Sequence, residues 1–244
     1  MPKSLEIVRT LWIGEKMPPA HAACLESFLR IGHPIHLYCY TKPTGIPSGV
    51  TLYRASDILS EDKIFLHSST SGAGTGSVAG FADMFRYKLL YELGGYWTDT
   101  DMFCLRSLPQ EEIVIAQAGD SSGAKTANNC LLRLPAGHPL AMQCFKDVSD
   151  ANKNSLKFGD SGPKLVQKMM AELHIETGLF PVEAFCPLNW GDFKTLAEPG
   201  EIPEQSFTIH LWNECWRRDK MDIPWPGPEG SVLYKLSKRL TQFH

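Results

Sequence analysis

A chain of 244 residues is long enough to bury a sizeable core, as one large domain with or without a small lid. Hydrophobic residues at 43% and charged residues at 21% are ordinary for a soluble globular protein. A formal net charge of -3 excludes the broad basic surface of a general nucleic-acid binder. Met1-Pro2-Lys3-Ser4-Leu5-Glu6 lacks the apolar run of a signal peptide, and no stretch is long enough to span a bilayer, so the expected location is the cytoplasm. The seven cysteines are odd in number, scattered, and set among apolar neighbours, as in Leu37-Tyr38-Cys39-Tyr40. Buried reduced thiols are expected, with neither a zinc site nor a disulfide frame.

Along the chain, Leu5 to Ile13 reads as a buried strand that ends at Gly14. Pro19 opens a helix to Ile31, stopped by Gly32 and Pro34. Ile35 to Tyr40 and Val50 to Arg54 read as strands, so the N-terminal part is a βαβ unit with a parallel sheet. Ser68 to Ser77 is small, polar and glycine-rich, but Val78-Ala79 stands where a phosphate-binding loop needs lysine and a hydroxyl. It reads as a loop beside a site.

Phe81 to Leu93 reads as a buried helix, ended by Gly94 in the left-handed conformation. Asp83 and Arg86 share one face of it, either as an internal ion pair or facing a polar ligand. A short strand follows, ending in Asp99-Thr100-Asp101. On a strand, side chains at i and i+2 share a face, so Asp99 and Asp101 project together with Thr100 turned the other way. Two carboxylates there make a poor core and a good seat for a hard divalent cation.

Ile113 to Ala118 and Cys130 to Leu134 read as strands, and His138 to Ala151 and Gly162 to Thr177 as helices. Phe180 to Phe185 and Phe207 to Leu211 read as later strands. Pro224-Trp225-Pro226-Gly227-Pro228 is a rigid spacer before a last helix at about 229–241, whose Lys235, Lys238 and Arg239 alternate with apolar residues. Packing is the plain reading of that helix, and docking on anionic lipid the alternative.

The run from Ala82-Asp83 through Arg86-Tyr87, Gly94-Gly95-Tyr96-Trp97 and Asp99-Thr100-Asp101 resembles the Asp-x-Asp sugar transferases of the GT-A fold. It is most similar to the group holding yeast-type α-mannosyltransferases, α-1,4-galactosyltransferases and clostridial glucosylating toxins. Leu11-Trp12-Ile13-Gly14, Asn129 with Gly137-His138-Pro139, Gly159-Asp160-Ser161-Gly162-Pro163 and His210-Leu211-Trp212 follow the family order. The resemblance implies one α/β domain, a Rossmann-like mixed sheet flanked by helices, over 1–244.

It also implies a retaining, metal-dependent hexosyltransferase that uses a nucleotide-sugar, with UDP favoured, in surface polysaccharide synthesis. The acceptor is a glycan or lipid-linked sugar, at the inner face of the membrane. Mn²⁺ or Mg²⁺ would offset the diphosphate charge. The implied metal ligands are Asp101, Asp99 and His210, with Asp99 also placed on the ribose. His210 is otherwise a hydrogen-bonded strand-end histidine. The implied substrate contacts are Trp12 on the base, then Asp83, Arg86, Trp97, Asn129 and Gly162, with the Trp212 indole on the β-phosphate. Trp12 without the resemblance is a core residue. Asp160 is either a helix N-cap or a group that orients the acceptor or transferred sugar. The competing functions are a toxin-like protein glycosyltransferase, a non-catalytic sugar-nucleotide binder, and a two-metal phosphatase or nuclease, which needs more ligands than the neighbourhood of Asp99 offers.

Overall fold

The structure, a computed structural model, describes residues 5–67, 74–120 and 122–241. Most of the glycine-rich loop expectation, residues 68–73, therefore lies outside the described residues. Strand β1 (Val8–Trp12) leads to helix α1 (Pro19–Ile31), then β2 (Ile35–Cys39) and β3 (Thr51–Arg54). Pro19 opens α1, where a missing N–H costs nothing, and Gly32 closes it at φ 108. Both β1–β2 and β2–β3 pair in parallel, as the βαβ reading requires.

Helix α2 (Ala79–Leu93) then delivers β4 (Gly95–Thr98), which pairs parallel to β1. Gly94 joins them at φ 62 and ψ -166, which is not the left-handed helical cap expected. A Cβ there would lie 2.5 Å from the Ala136 nitrogen, so the tight passage needs glycine. β4 stops at Thr98. Asp99 and Asp101 lie in the turn that follows, where the Met102 N–H donates to the Asp99 carbonyl at 3.3 Å. The acids do converge, but through a turn and not through strand alternation.

After β5 (Met102–Cys104) come β6 (Val114–Gly119) and β7 (Lys125–Leu134). The main sheet has the order β3-β2-β1-β4-β7-β6, with β7 antiparallel to both neighbours. Side chains alternate across it: Val8, Tyr96 and Leu131 enter one core, Leu11, Trp97 and Leu132 the other. The second core is closed by α2, α3 (Pro139–Asp150) and α4 (Pro163–Glu172). α4 stops well short of Thr177, at Leu173 and a left-handed His174.

The C-terminal part departs most from the sequence reading. Phe180 to Phe185 is not a strand: Pro181 starts a short helix, α5 (Val182–Phe185). β8 (Thr208–His210) pairs antiparallel with β5 in a separate two-stranded sheet, with Met102 opposite His210. Helices α6 (Asn213–Arg218) and α7 (Val232–Thr241) complete the chain. α7 buries Val232, Leu233 and Leu236, while Lys235 pairs with Glu201 and Arg239 with Glu204. Its apolar face is covered by protein and two of its basic groups hold protein acids, which is the packing reading and not the lipid one. No helix among the described residues is long and apolar enough to cross a membrane.

Candidate active site

The turn after the C-terminal end of β4, helix α2, the end of β6, the start of β7 and the 210–218 segment surround one cavity of about 470 Å³. Ligands of open α/β sheets bind at this end of the strands. Asp83, Arg86, Asp99, Asp101, Asn129, His210 and Trp212 line the cavity together. These residues come from four distant stretches of sequence.

Asp99 is held from the α2 side. Arg86 Nη2 lies 2.9 Å from Asp99 Oδ1 and 3.3 Å from Asp83 Oδ1, so it bridges two carboxylates. Its other nitrogen, Nη1, donates to the Asn129 carbonyl. Below it, Asn129 Nδ2 donates to Asp83 Oδ1 at 2.7 Å and to the Tyr87 hydroxyl at 3.0 Å. Ser161 Oγ donates to Asp83 Oδ2 at 2.6 Å, and Tyr87 donates to the Ser161 carbonyl. Asp83 and Arg86 are thus an internal ion pair and also part of the cavity wall. Gly162 runs close over this network: a Cβ there would sit 3.1 Å from both Asp83 and Asn129 oxygens.

Asp101 is held from the other side. Its Oδ2 accepts from the Asn213 N–H at 2.8 Å and faces His210 Nε2 at 3.2 Å. The β5–β8 pairing causes this, because it seats His210 against the residue that follows Asp101. Burial works against charge on Asp101, but His210 overcomes it and holds the carboxyl below the usual range. Burial also opposes the His210 charge, and the Asp101 carboxylate overrides it and raises the imidazole. Asp99 goes the other way: burial, with the Asp101 charge beside it, lifts it to about 6 against the pull of Arg86.

The donor set tests whether a divalent cation fits. Ligand atoms of Asp99, Asp101 and His210 all lie within 4.8 Å of one another. Two carboxylates and one imidazole suit Mn²⁺ well and Mg²⁺ acceptably, and they leave positions for phosphate oxygens.

Other expected contacts fall differently. Trp97 is 1% exposed and packs on Phe85, so its ring cannot lie on a donor; only its indole N–H reaches the site, donating to Asp99 at 3.0 Å. The Trp212 indole N–H donates to the Leu188 carbonyl at 3.1 Å and is not free for a phosphate, while its ring stacks on His210 at 3.8 Å. Trp12 does not line the cavity; it contacts the His21 ring, with a buried indole N–H that has no protein partner. Asp160 neither caps α4, whose N-cap is Gly162, nor lines the cavity. It pairs with Lys164 at 2.9 Å and accepts from the Lys157 N–H.

Sequence reasoning missed several groups in or beside the cavity. His21, on α1 and outside the cavity lining, meets the hydroxyl of Thr100 between the two acids at 2.9 Å, with no motif around it. Trp190, Phe158 and Arg218 line the outer wall, with the Arg218 guanidinium 4.5 Å from the Phe158 ring. Phe158 lies in a turn, and Trp190 and Arg218 on short helices, which periodicity does not reveal.

The mixed sheet with the acid pair and His210 gathered at one cavity is the arrangement that the sequence resemblance implies. Two family models match parts of the chain. A glycosyltransferase sugar-binding region containing the DXD motif matches residues 58–120, and an alpha 1,4-glycosyltransferase conserved region matches 134–228. The chain is 27% identical over 150 residues to lactosylceramide 4-alpha-galactosyltransferase of Pongo pygmaeus, covering 54% of this chain and 66% of that protein. It is 22% identical over 148 residues to human alpha-1,4-N-acetylglucosaminyltransferase, covering 54% and 42%. The chain thus spans from about two fifths to just under two thirds of the curated relatives it matches. Among solved structures it is similar to an LgtC active-site mutant, with a TM-score of 0.47, 11% identity, and coverage of 98% and 97%.

Proposed function

We propose that this chain transfers a hexose from a UDP-sugar to a hydroxyl of a glycan or glycolipid acceptor, forming an α-1,4 bond with retention of configuration. One observation carries the reading. Ligand atoms of Asp99, Asp101 and His210 converge at a cavity that Arg86 and Asn129 also line.

Asp101, Asp99 and His210 would hold Mn²⁺ or Mg²⁺. Such a cation supplies positive charge for a departing nucleoside diphosphate. The chain's own residues do the rest. Arg86 fixes Asp99 and adds a positive wall. The Trp97 N–H keeps the Asp99 carboxylate in one rotamer. Asn213 does the same for Asp101 through its backbone N–H. Asp83 has both oxygens engaged, so its main work is to position Asn129 and Ser161 beside the sugar. The retained stereochemistry follows from the family resemblance, and the α-1,4 linkage from the names of both relatives. The lactosylceramide named in one of them favours a galactose-terminated acceptor. The cytoplasmic face of a membrane is the proposed place of action.

The test incubates the protein with UDP-galactose, UDP-N-acetylglucosamine or UDP-glucose plus Mn²⁺, with and without lactose, and measures UDP. UDP release with one donor, stimulated by lactose and abolished in Asp101→Asn, is expected. Release of inorganic phosphate, or full turnover by Asp101→Asn, would sink the proposal.

A further inference from the structure

Behind the acid pair lies a second group of ligand-type side chains. Cys130 on β7, Cys186 just after α5 and His210 on β8 are all buried. Their spacing in sequence carries no zinc signature, which is why a zinc site was not expected. The fold nevertheless brings them together. The two sulfurs are 3.6 Å apart, and Cys186 Sγ is 3.9 Å from His210 Nδ1. All three ligand atoms fall within 4.8 Å of one another. Neither cysteine is part of a disulfide.

Those separations match a particular coordination. Zn–S distances of about 2.3 Å and Zn–N of about 2.0–2.1 Å, at tetrahedral angles, put two sulfurs about 3.8 Å apart and S and N about 3.5 Å apart. The observed values differ from these by a few tenths of an ångström. The imidazole also points correctly. With Nδ1 on a metal, Nε2–H donates to Asp101 Oδ2, which already lies 3.2 Å away. That is the carboxylate–histidine–metal arrangement that orients zinc ligands.

We propose that Cys130, Cys186 and Nδ1 of His210 form a binding site for a thiophilic divalent cation, Zn²⁺, distinct from the Asp99–Asp101 site but sharing its histidine. Binding replaces the two thiol protons, which leave to solvent, by two Zn–S bonds. A disulfide would need an added oxidant and access to a closed pocket, so metal binding suits the geometry better. Because one imidazole faces both sites, Zn²⁺ on Nδ1 leaves Nε2 protonated and unable to ligate a hard cation. Only this competition rests on the proposed function; Zn²⁺ binding itself does not.

Metal-stripped protein is titrated with Zn²⁺ against a chromophoric chelator, and separately with Co²⁺ while the near-ultraviolet spectrum is followed. The expected result is tight Zn²⁺ binding and a thiolate-to-cobalt charge-transfer band in the wild type. Cys186→Ser and Cys130→Ser should each lose the band and weaken Zn²⁺ on the order of 100-fold. Co²⁺ binding without that band in the wild type would overturn the site whether or not either variant folds. Zn²⁺ affinity unchanged in a folded Cys186→Ser but lost in Asp99→Asn would also overturn it, by placing the metal on the acids. These readouts need no sugar nucleotide, so they stand even if no transfer is found. Where Mn²⁺-supported UDP release is measurable, Zn²⁺ should inhibit the wild type and inhibit Cys186→Ser far less.

Discussion

The two ends of the parallel strands bury polar groups in opposite ways. At the C-terminal end, Asp83, Arg86, Asp99, Asp101 and His210 are charged or chargeable, and most of their partners are side chains. At the N-terminal end, the buried polar groups are neutral and meet backbone. His33 Nδ1 bonds the Glu6 carbonyl and its Nε2 accepts from the Leu108 N–H. Ser27 donates to the Cys24 carbonyl and accepts from the Cys104 N–H. A backbone partner is fixed by the fold and saturates the group. A charged side-chain partner can be exchanged for a ligand, and it leaves charge facing the cavity. The first arrangement builds structure; the second builds a site that pulls against itself.

The sharpest break of this contrast is Asp101→Asn. It keeps the size and a hydrogen-bonding oxygen but removes the charge that sets His210. Transfer and donor hydrolysis should fall by about 10²–10³-fold or more, as for loss of a group that stabilises developing charge. Mn²⁺ affinity, followed by calorimetry, should fall with them. Near-normal turnover would mean that the acid pair does not serve the reaction. Next comes Arg86→Met, which leaves buried Asp83 and half-buried Asp99 without their common partner. Breaking a buried pair from one side costs about 3–5 kcal/mol. In a protein of this size that lowers Tm by roughly 10 °C. A thermal melt within two or three degrees of the wild type would show that Arg86 is not holding Asp83 and Asp99.

A matched pair of serines tests the two ends directly. Ser161→Ala removes the hydroxyl from Asp83 Oδ2, and Ser27→Ala removes the one that serves the Cys104 N–H. Each leaves a buried group short of a partner, at about 1–3 kcal/mol. Stability in urea should therefore drop similarly in both. Only Ser161→Ala should also raise the donor KM, since its network lines the cavity. Equal kinetic effects from both would erase the distinction between the ends.

The same division explains how much the sequence revealed. The βαβ unit was legible because Pro19, Gly32 and the apolar runs of β1 and β2 obey local rules. The acid pair is legible by motif, but strand alternation is not what brings it together: Asp99 and Asp101 meet through a turn, stabilised by partners far away in sequence. The positions of Trp97 and Trp212 in the family pattern imply donor contacts. Where their indole N–H groups point depends on Asp99 and on the Leu188 carbonyl, which no local pattern encodes. The β5–β8 pairing spans about a hundred residues of sequence, and neither strand exceeds three residues. Strands that short have no periodicity to read. His210 could be picked by resemblance, but its second face, towards Cys186, could not.

The smallest expected effect belongs to the quiet end and depends on pH. Burial lowers the pKa of His33, and the Glu6 carbonyl offsets this only in part. The geometry agrees: Nε2 accepts the Leu108 N–H, so a proton there would break that bond. The unfolded chain takes up the proton near the ordinary value of about 6.5, and the folded chain does so only at lower pH. Stability from this group is therefore complete above about 6.5 and is lost as pH falls towards the folded value. His21 slopes the same way and His210 the opposite way, so the difference between wild type and His33→Gln isolates this one. Urea unfolding at pH 7.5, 6.5 and 5.5 should show the wild type losing more stability on acidification than the variant. UDP release by the two at pH 7.5 should match, because His33 lies at the far end of the sheet from the cavity. Parallel pH slopes would show that His33 is not held neutral by Leu108, and a kinetic difference at pH 7.5 would show that the two ends are coupled.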